Sequence, residues 1–189
     1  KDTCIAIFSR VRQAELSGGG AYFRSMQPSV LRAVRYRDGL RKVARDEGSE
    51  NGKYGLLARG FCDGGVASWR PEFTNTLWVL AGLKALVGAA KRLGMEGFED
   101  ATRLHSELGD ACAKAMRAEM RQHDEGFAYL PMVMKGDAQW EEADPWERLR
   151  PQGAQWALSH AIYPGLVFDR EDPVRSEEHT SELQSRITI

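Results

Sequence analysis

The stretch Asp63-Gly-Gly-Val-Ala-Ser-Trp-Arg-Pro-Glu-Phe-Thr-Asn-Thr-Leu-Trp-Val-Leu-Ala-Gly-Leu-Lys-Ala-Leu-Val-Gly-Ala-Ala90 decides the fold. It opens as a loop that glycine and proline keep irregular, then becomes the most apolar helix of the chain. Leu77, Leu80, Leu83, Val87 and Ala90 recur at helical spacing, and Trp78, Val79 and Leu86 make the other sides apolar as well. Only Lys84 and Lys91, seven residues apart and on one narrow stripe, interrupt the pattern. A helix apolar nearly all round is buried inside a protein. Thr74 or Asn75 suits its N-cap, because a short polar side chain there accepts from free backbone N–H groups. Gly94 suits its stop.

The same helical spacing continues on both sides. Pro28 is expected at the first helical position of an earlier helix, where its missing N–H costs nothing. Leu31, Val34, Tyr36, Leu40, Val43 and Ala44 give that helix a partial apolar face, and six basic residues between Arg32 and Arg45 cover the rest. Residues 1–24 read as a connecting segment, in which Cys4-Ile-Ala-Ile-Phe8 fits a short strand or part of a helix equally well. After Gly94-Met-Glu-Gly97, a charged amphipathic helix is expected from about Phe98 to Arg121, with Ala101, Leu104, Leu108, Ala111, Ala115 and Met116 inward. A further apolar helix, Gln152 to Tyr163, ends at Pro164-Gly165.

Two long connections separate these helices. Gly48 to Glu72 holds six glycines and one proline, and His123 to Pro151 is acidic and aromatic. Loops of this length are uncommon in a compact domain unless functional or disordered, and Tyr54, Phe61 and Trp69 in the first argue against disorder. The order is amphipathic helix, long loop, buried helix, short turn, and then the order repeats. Helices joined by short turns are antiparallel neighbours, so both long loops are expected at one end, above the starts of the buried helices. The fold class is therefore all-α, built of antiparallel helical hairpins.

Composition narrows the function classes. With 26 Lys and Arg against 27 Asp and Glu, the net charge of −1 gives no general attraction to nucleic acid or membrane. The Arg-rich face of the first helix reads as a solvated outer surface, with no recognition motif beside it. Cys4, Cys62 and Cys112 are widely spaced with no CxxC, which argues against a disulfide framework or zinc site and favours a reducing, cytoplasmic setting. The apolar run from Leu77 to Ala90 is short for a membrane span and carries Lys84 in its middle. No metal or cofactor is expected.

The layout of inner and outer helices with long loops at one end resembles the six-hairpin glycosidases, whose catalytic domain is an (α/α)6 toroid. Gly64-Gly65, Arg70, Glu72, Trp78 and Gly82-Leu83 are similar to the trehalase stretch that begins Gly-Gly-Arg-Phe-x-Glu and continues into a Trp-Ile-Ile-Leu-Gly-Leu helix. Asn75-Thr76 stand where trehalases carry Trp-Asp. Tyr129-Leu-Pro-Met-Val-Met-Lys135 and Arg150-Pro-Gln-Gly-Ala-Gln-Trp-Ala-Leu-Ser-His-Ala-Ile-Tyr-Pro-Gly165 are similar to bacterial proteins of the same type. The resemblance implies that residues 25–174 are a partial toroid of about two hairpins. It also implies a carbohydrate ligand and, as the other partner, the remaining hairpins of the same chain.

Glycoside hydrolysis needs two carboxyl groups across a sugar bond, with aromatic platforms and polar groups to hold the sugar. Glu72 and Asp144 are the candidate catalytic pair. Asp63, Trp69, Arg70, Asn75, Trp140, Glu142, Trp146, Gln152 and Gln155 are the candidate sugar-binding residues. Glu72 stands out because the apolar helix that follows is expected to draw it towards the centre of the ring. Two other functions fit the same pattern. One is a toroid sugar epimerase or polysaccharide lyase, with a base such as His160. The other is a non-catalytic helical scaffold that binds a peptide or sugar.

Residues 175–189 stand apart. The string RSEEHTSELQS at 175–185 resembles the translation of a common sequencing adapter, which implies a non-native tail. Removing residues 175–189 is expected to leave the thermal midpoint within about 4 °C of the intact chain, the shift that roughly 1 kcal/mol produces. A larger fall in a thermal melt would make the tail part of the fold.

Overall fold

The computed structural model describes residues 1–48, 50–58, 72–131 and 134. Among them the chain is all-α apart from one small hairpin. Its elements are α1 (Asp2–Leu16), α2 (Gly20–Asp46), the short α3 (Glu50–Tyr54), α4 (Phe73–Arg92) and α5 (Glu99–Glu119). The antiparallel strands β1 (Arg121–Gln122) and β2 (Ala128–Tyr129) follow, pairing Arg121 with Tyr129 and Gln122 with Ala128.

Two helical hairpins stand side by side. α1 and α2 are antiparallel, with Thr3 near Arg37 and Arg10 bonded to Tyr22. α4 and α5 are antiparallel too, joined by the expected short turn. Between hairpins the helices run parallel. Cys4 meets Gly82 and Glu15 pairs with Arg92 along α1 and α4, while Asp38 meets Arg103 and Arg41 meets Glu107 along α2 and α5. Each short turn has a left-handed glycine that closes the helix before it. Gly94 (φ 60°) lets Met95 N–H reach the Ala90 carbonyl at 2.9 Å, and Gly18 (φ 65°) lets Gly19 N–H reach Ala14 at 2.9 Å. These are Schellman closures, which satisfy the last carbonyls of each helix.

The first hairpin corrects the expectation for residues 1–24. Cys4, Ile7, Val11 and Ala14 are all buried, at helical spacing, so the segment is a packed helix and not a connection. α2 begins at Gly20 and carries Pro28 in its interior. Pro28 is exposed, so the carbonyl that loses its partner one turn back can be met by water. The buried face of α2 also differs. It runs through Phe23, Val30, Val34, Asp38, Arg41 and Ala44, whereas Tyr36 and Val43 are 61% and 46% exposed. A face interrupted by Asp38 and Arg41 does not read as apolar.

Those two charges hold the α2–α5 contact together. Arg41, only 5% exposed, donates to Glu107 Oε2 at 2.7 Å and to the Gly55 carbonyl. Arg103 bridges Asp38 at 3.1 Å and Glu107 at 3.3 Å, and Lys42 adds to Asp38 at 3.4 Å. Burial alone would raise the Asp38 carboxyl, but the Arg103 bond and charge, with Lys42, outweigh it and hold the group below its usual range. Glu107 is held low by the hydrogen bond from Arg41 and then by Arg103.

α4 is the core helix. At 20 residues it is long and apolar enough to cross a bilayer, yet 72% of its most apolar window is buried inside the protein, as in the central helix of a folded core. Its stripe Val79, Leu83, Leu86 and Ala90 meets a core completed by Phe23, Leu104 and Leu108. On the side facing α1 the backbones touch: a Cβ on Gly82 would lie 2.6 Å from the Cys4 carbonyl oxygen and 2.9 Å from Cys4 Cβ.

Two outcomes follow from this packing. Gly to Ala inside a helix ordinarily gains about 1 kcal/mol, but Gly82→Ala must push α1 off α4. It is expected to cost about 1–3 kcal/mol, the range for an overpacked core, read as a thermal midpoint lowered by about 3–8 °C; an unchanged or raised midpoint would show that the contact is loose. The second outcome concerns acid. A carboxyl with a depressed folded pKa stabilises fully above its unfolded value, about 3.9 for Asp and 4.3 for Glu, and that stability is lost as pH falls through the folded value. Glu107→Gln is therefore expected to lower stability at neutral pH by about 1 kcal/mol, given the half-exposed carboxylate, and to flatten the fall in stability below about pH 4.3. Melts across pH check it; equal acid sensitivity in both proteins would remove Glu107 from the account.

Candidate functional site

The directions of the helices place the long connections. α2 ends, α4 begins and α5 ends at one end of the stack, so the described ends of both long connections, residues 47–48 and 50–58 with Glu72 and the residues from Met120, stand there together. This is the arrangement the helix order predicts. Both short turns lie at the opposite end.

At the mouth end, Glu72 is the N-cap of α4, in extended conformation (φ −91°, ψ 136°), in place of the expected Thr74 or Asn75. Its side chain makes no capping bond and is fully buried. Counting back from Ala90, Leu86, Leu83, Val79 and Thr76, Glu72 falls on the same buried stripe of α4. The carboxylate is therefore drawn into the interior, and bulk water does not reach it. The three polar residues of the first turn are buried with it: Thr74 at 0%, Asn75 at 7% and Thr76 at 1% exposure. Thr74 Oγ1, Asn75 Nδ2 and Thr76 Oγ1 have no hydrogen-bond partner among the described residues. Buried polar atoms are almost always paired, so three unpaired ones in consecutive residues are exceptional.

The neighbouring elements add groups that the sequence reading did not assign to a site. Tyr54, in α3, donates to Glu119 Oε1 at 3.0 Å, and Glu119 is buried at the last turn of α5. Beyond it, Gly126 (φ 89°) closes the turn between β1 and β2, where His123 N–H donates to the Phe127 carbonyl at 2.8 Å. The turn gathers three rings. His123 stacks on Phe127 with centroids 4.6 Å apart, and Tyr129 meets His123 edge-on at 6.2 Å. Asp124-Glu125-Gly126 between two residues of strand character is the signal that marks this hairpin. No comparable signal marks the Tyr54–Glu119 bond, which joins residues 65 apart.

Of the predicted site residues, Glu72 and Asn75 are described, and both are buried at the mouth. Asp63, Trp69, Arg70, Trp140, Glu142, Asp144, Trp146, Gln152 and Gln155 lie outside the described residues, as do His160 and the helix expected from Gln152 to Tyr163.

The remaining reactive groups are quiet. Cys112 is wholly buried against Met116 Sδ, and burial pushes its thiol up to about 12. Cys4 is raised by burial, only partly offset by Arg37. His105, between α5 and α4, is lowered by burial and by the nearby Lys84 charge, so it is a neutral imidazole at neutral pH. Among the described residues no three His, Cys, Asp or Glu side chains converge as a metal site would require.

Comparison of the chain with protein-family models, with curated proteins and with solved structures returns no match.

Proposed function

We propose that the chain is part of a carbohydrate-active enzyme of the (α/α)6 class, a glycoside hydrolase in which Glu72 is one carboxyl of a general acid and base pair. Asp144 is the candidate for the second. The observation that carries this reading is the concentration of buried polar groups at the start of α4. A carboxylate, two hydroxyls and an amide are sequestered on one turn, at the end where both long connections open. Hydroxyls and amides that can both donate and accept suit a neutral polyol better than an ion. The carboxylate is the group that glycoside hydrolysis requires.

The stacking of the two hairpins supports the same class. Parallel inner helices and parallel outer helices, with short turns at one end, are what a toroid repeats around its axis. Two such units do not close a ring, so the remaining hairpins of its own chain are partners in this reading, together with the sugar. Nucleic acid, membrane, metal and cofactor have no part in it, and the cytoplasm is its proposed location.

The test is made on the chain carried in its full reading frame, assayed against a panel of oligosaccharides. Glu72→Gln is expected to lower turnover at least about a hundredfold, the scale for losing a general acid or base, with the circular dichroism spectrum unchanged. Asn75→Ala is expected to raise KM more than it lowers kcat. Full turnover in Glu72→Gln, or unfolding of that variant, would assign Glu72 to structure alone.

A further inference from the structure

At the end of the bundle opposite Glu72, beneath the turn between α1 and α2, lies a cavity of about 490 Å³. That volume is within the roughly 300–1,000 Å³ range of small-molecule sites. Its walls are apolar: Val11 and Ala14 from α1, Phe23 from α2, and Ala89 and Leu93 from α4. Its rim is charged. Arg12 Nη1 donates to Glu15 Oε2 at 2.8 Å, and Arg92 reaches across from α4 to pair with Glu15 Oε1. All three of these side chains line the cavity.

We propose that this cavity binds a small amphipathic anion, an aliphatic chain ending in a carboxylate. Two guanidiniums share one carboxylate, so the rim has one positive charge in excess. Each guanidinium has five N–H donors in a planar fork, far more than Glu15 accepts. A ligand carboxylate takes up the donors left over, in the paired geometry that guanidinium and carboxylate favour. The aliphatic chain covers the part-exposed Leu93 and the methylene stems of Arg12 and Arg92, which removes their apolar surface from water. An alkylammonium of the same length meets the rim's net like charge, with Glu15 already taken up by the two guanidiniums, and an alcohol of the same length brings no charge to pair with them.

The site stands apart from the sugar-site reading in both place and chemistry, so failure of one leaves the other intact. Octanoate, octanol and octylammonium, each titrated calorimetrically into the intact chain, test it. Octanoate is expected to bind about fivefold more tightly than octanol, the factor for a charge pair at a partly exposed rim, and octylammonium more weakly than either. Arg92→Gln is expected to erase the preference for octanoate. Glu15→Gln frees both guanidiniums and is expected to tighten octanoate binding. Equal affinity for octanoate and octanol in the intact chain overturns the proposal, as does absence of octanoate binding to a folded Glu15→Gln protein.

Discussion

The contact between Gly82 and Cys4 governs how the two hairpins meet. Because α4 has no side chain at Gly82, α1 lies against its backbone, closer than any side chain would permit. That approach fixes the depth at which Ile7 and Val11 enter the core, and with it the position of α2, which is tied to α1 by a turn of only Ser17, Gly18 and Gly19. Close-packed interiors transmit such a constraint, because no void is available to absorb a shift.

The two layers are held by different physics. Between α1 and α4 the contact is mainly apolar and backbone-close, with one ion pair, Glu15 to Arg92, at its far end. Between α2 and α5 it rests on Asp38, Arg41, Arg103 and Glu107, with the buried Arg41 at its centre. An ion network is directional where apolar packing is not, so it sets which turn of α2 faces which turn of α5. The inner contact sets distance and the outer one sets register. This division explains why two helices that share a strongly charged surface still dock in one way.

The second hairpin was far more legible in the sequence than the first. α4 and α5 have clean apolar stripes and a Gly94 stop; the bounds of α5 fall within two residues of expectation, and the N-cap of α4 lies two or three residues before the expected one. α1 was obscured because Cys4-Ile-Ala-Ile-Phe8 is a continuous apolar run, whose period cannot be read until Val11 and Ala14 are included. α2 was obscured because charged Asp38 and Arg41 occupy its buried face while apolar Tyr36 and Val43 lie outside. A face stabilised by ion pairs is invisible to a hydrophobic pattern. At the mouth, the burial of Glu72 was legible because the apolar helix that follows draws in the residue before it. That of Thr74 and Thr76 was not, since hydroxyls at a helix start read first as caps.

That last difference bears on what the mouth is for. A helix start normally places Ser, Thr, Asn or Asp so that one side-chain oxygen meets a free N–H. Among the described residues the N-cap Glu72 makes no capping bond to α4, and Thr74, Asn75 and Thr76 lie within the first turn itself. Their polar atoms are instead buried, and leaving a buried polar atom unpaired costs about 1–3 kcal/mol. Three such atoms on one turn represent a loss of stability on the scale of the net stability of a whole domain, about 5–15 kcal/mol. A sequence shaped for stability alone would place alanine or valine at positions 74 and 76, and a capping aspartate in place of Glu72. Departures from local rules of this size cluster where a protein binds or reacts, because the groups are held ready for something other than the chain itself. The three unpaired atoms at the start of α4 are the observation on which the proposed sugar site rests.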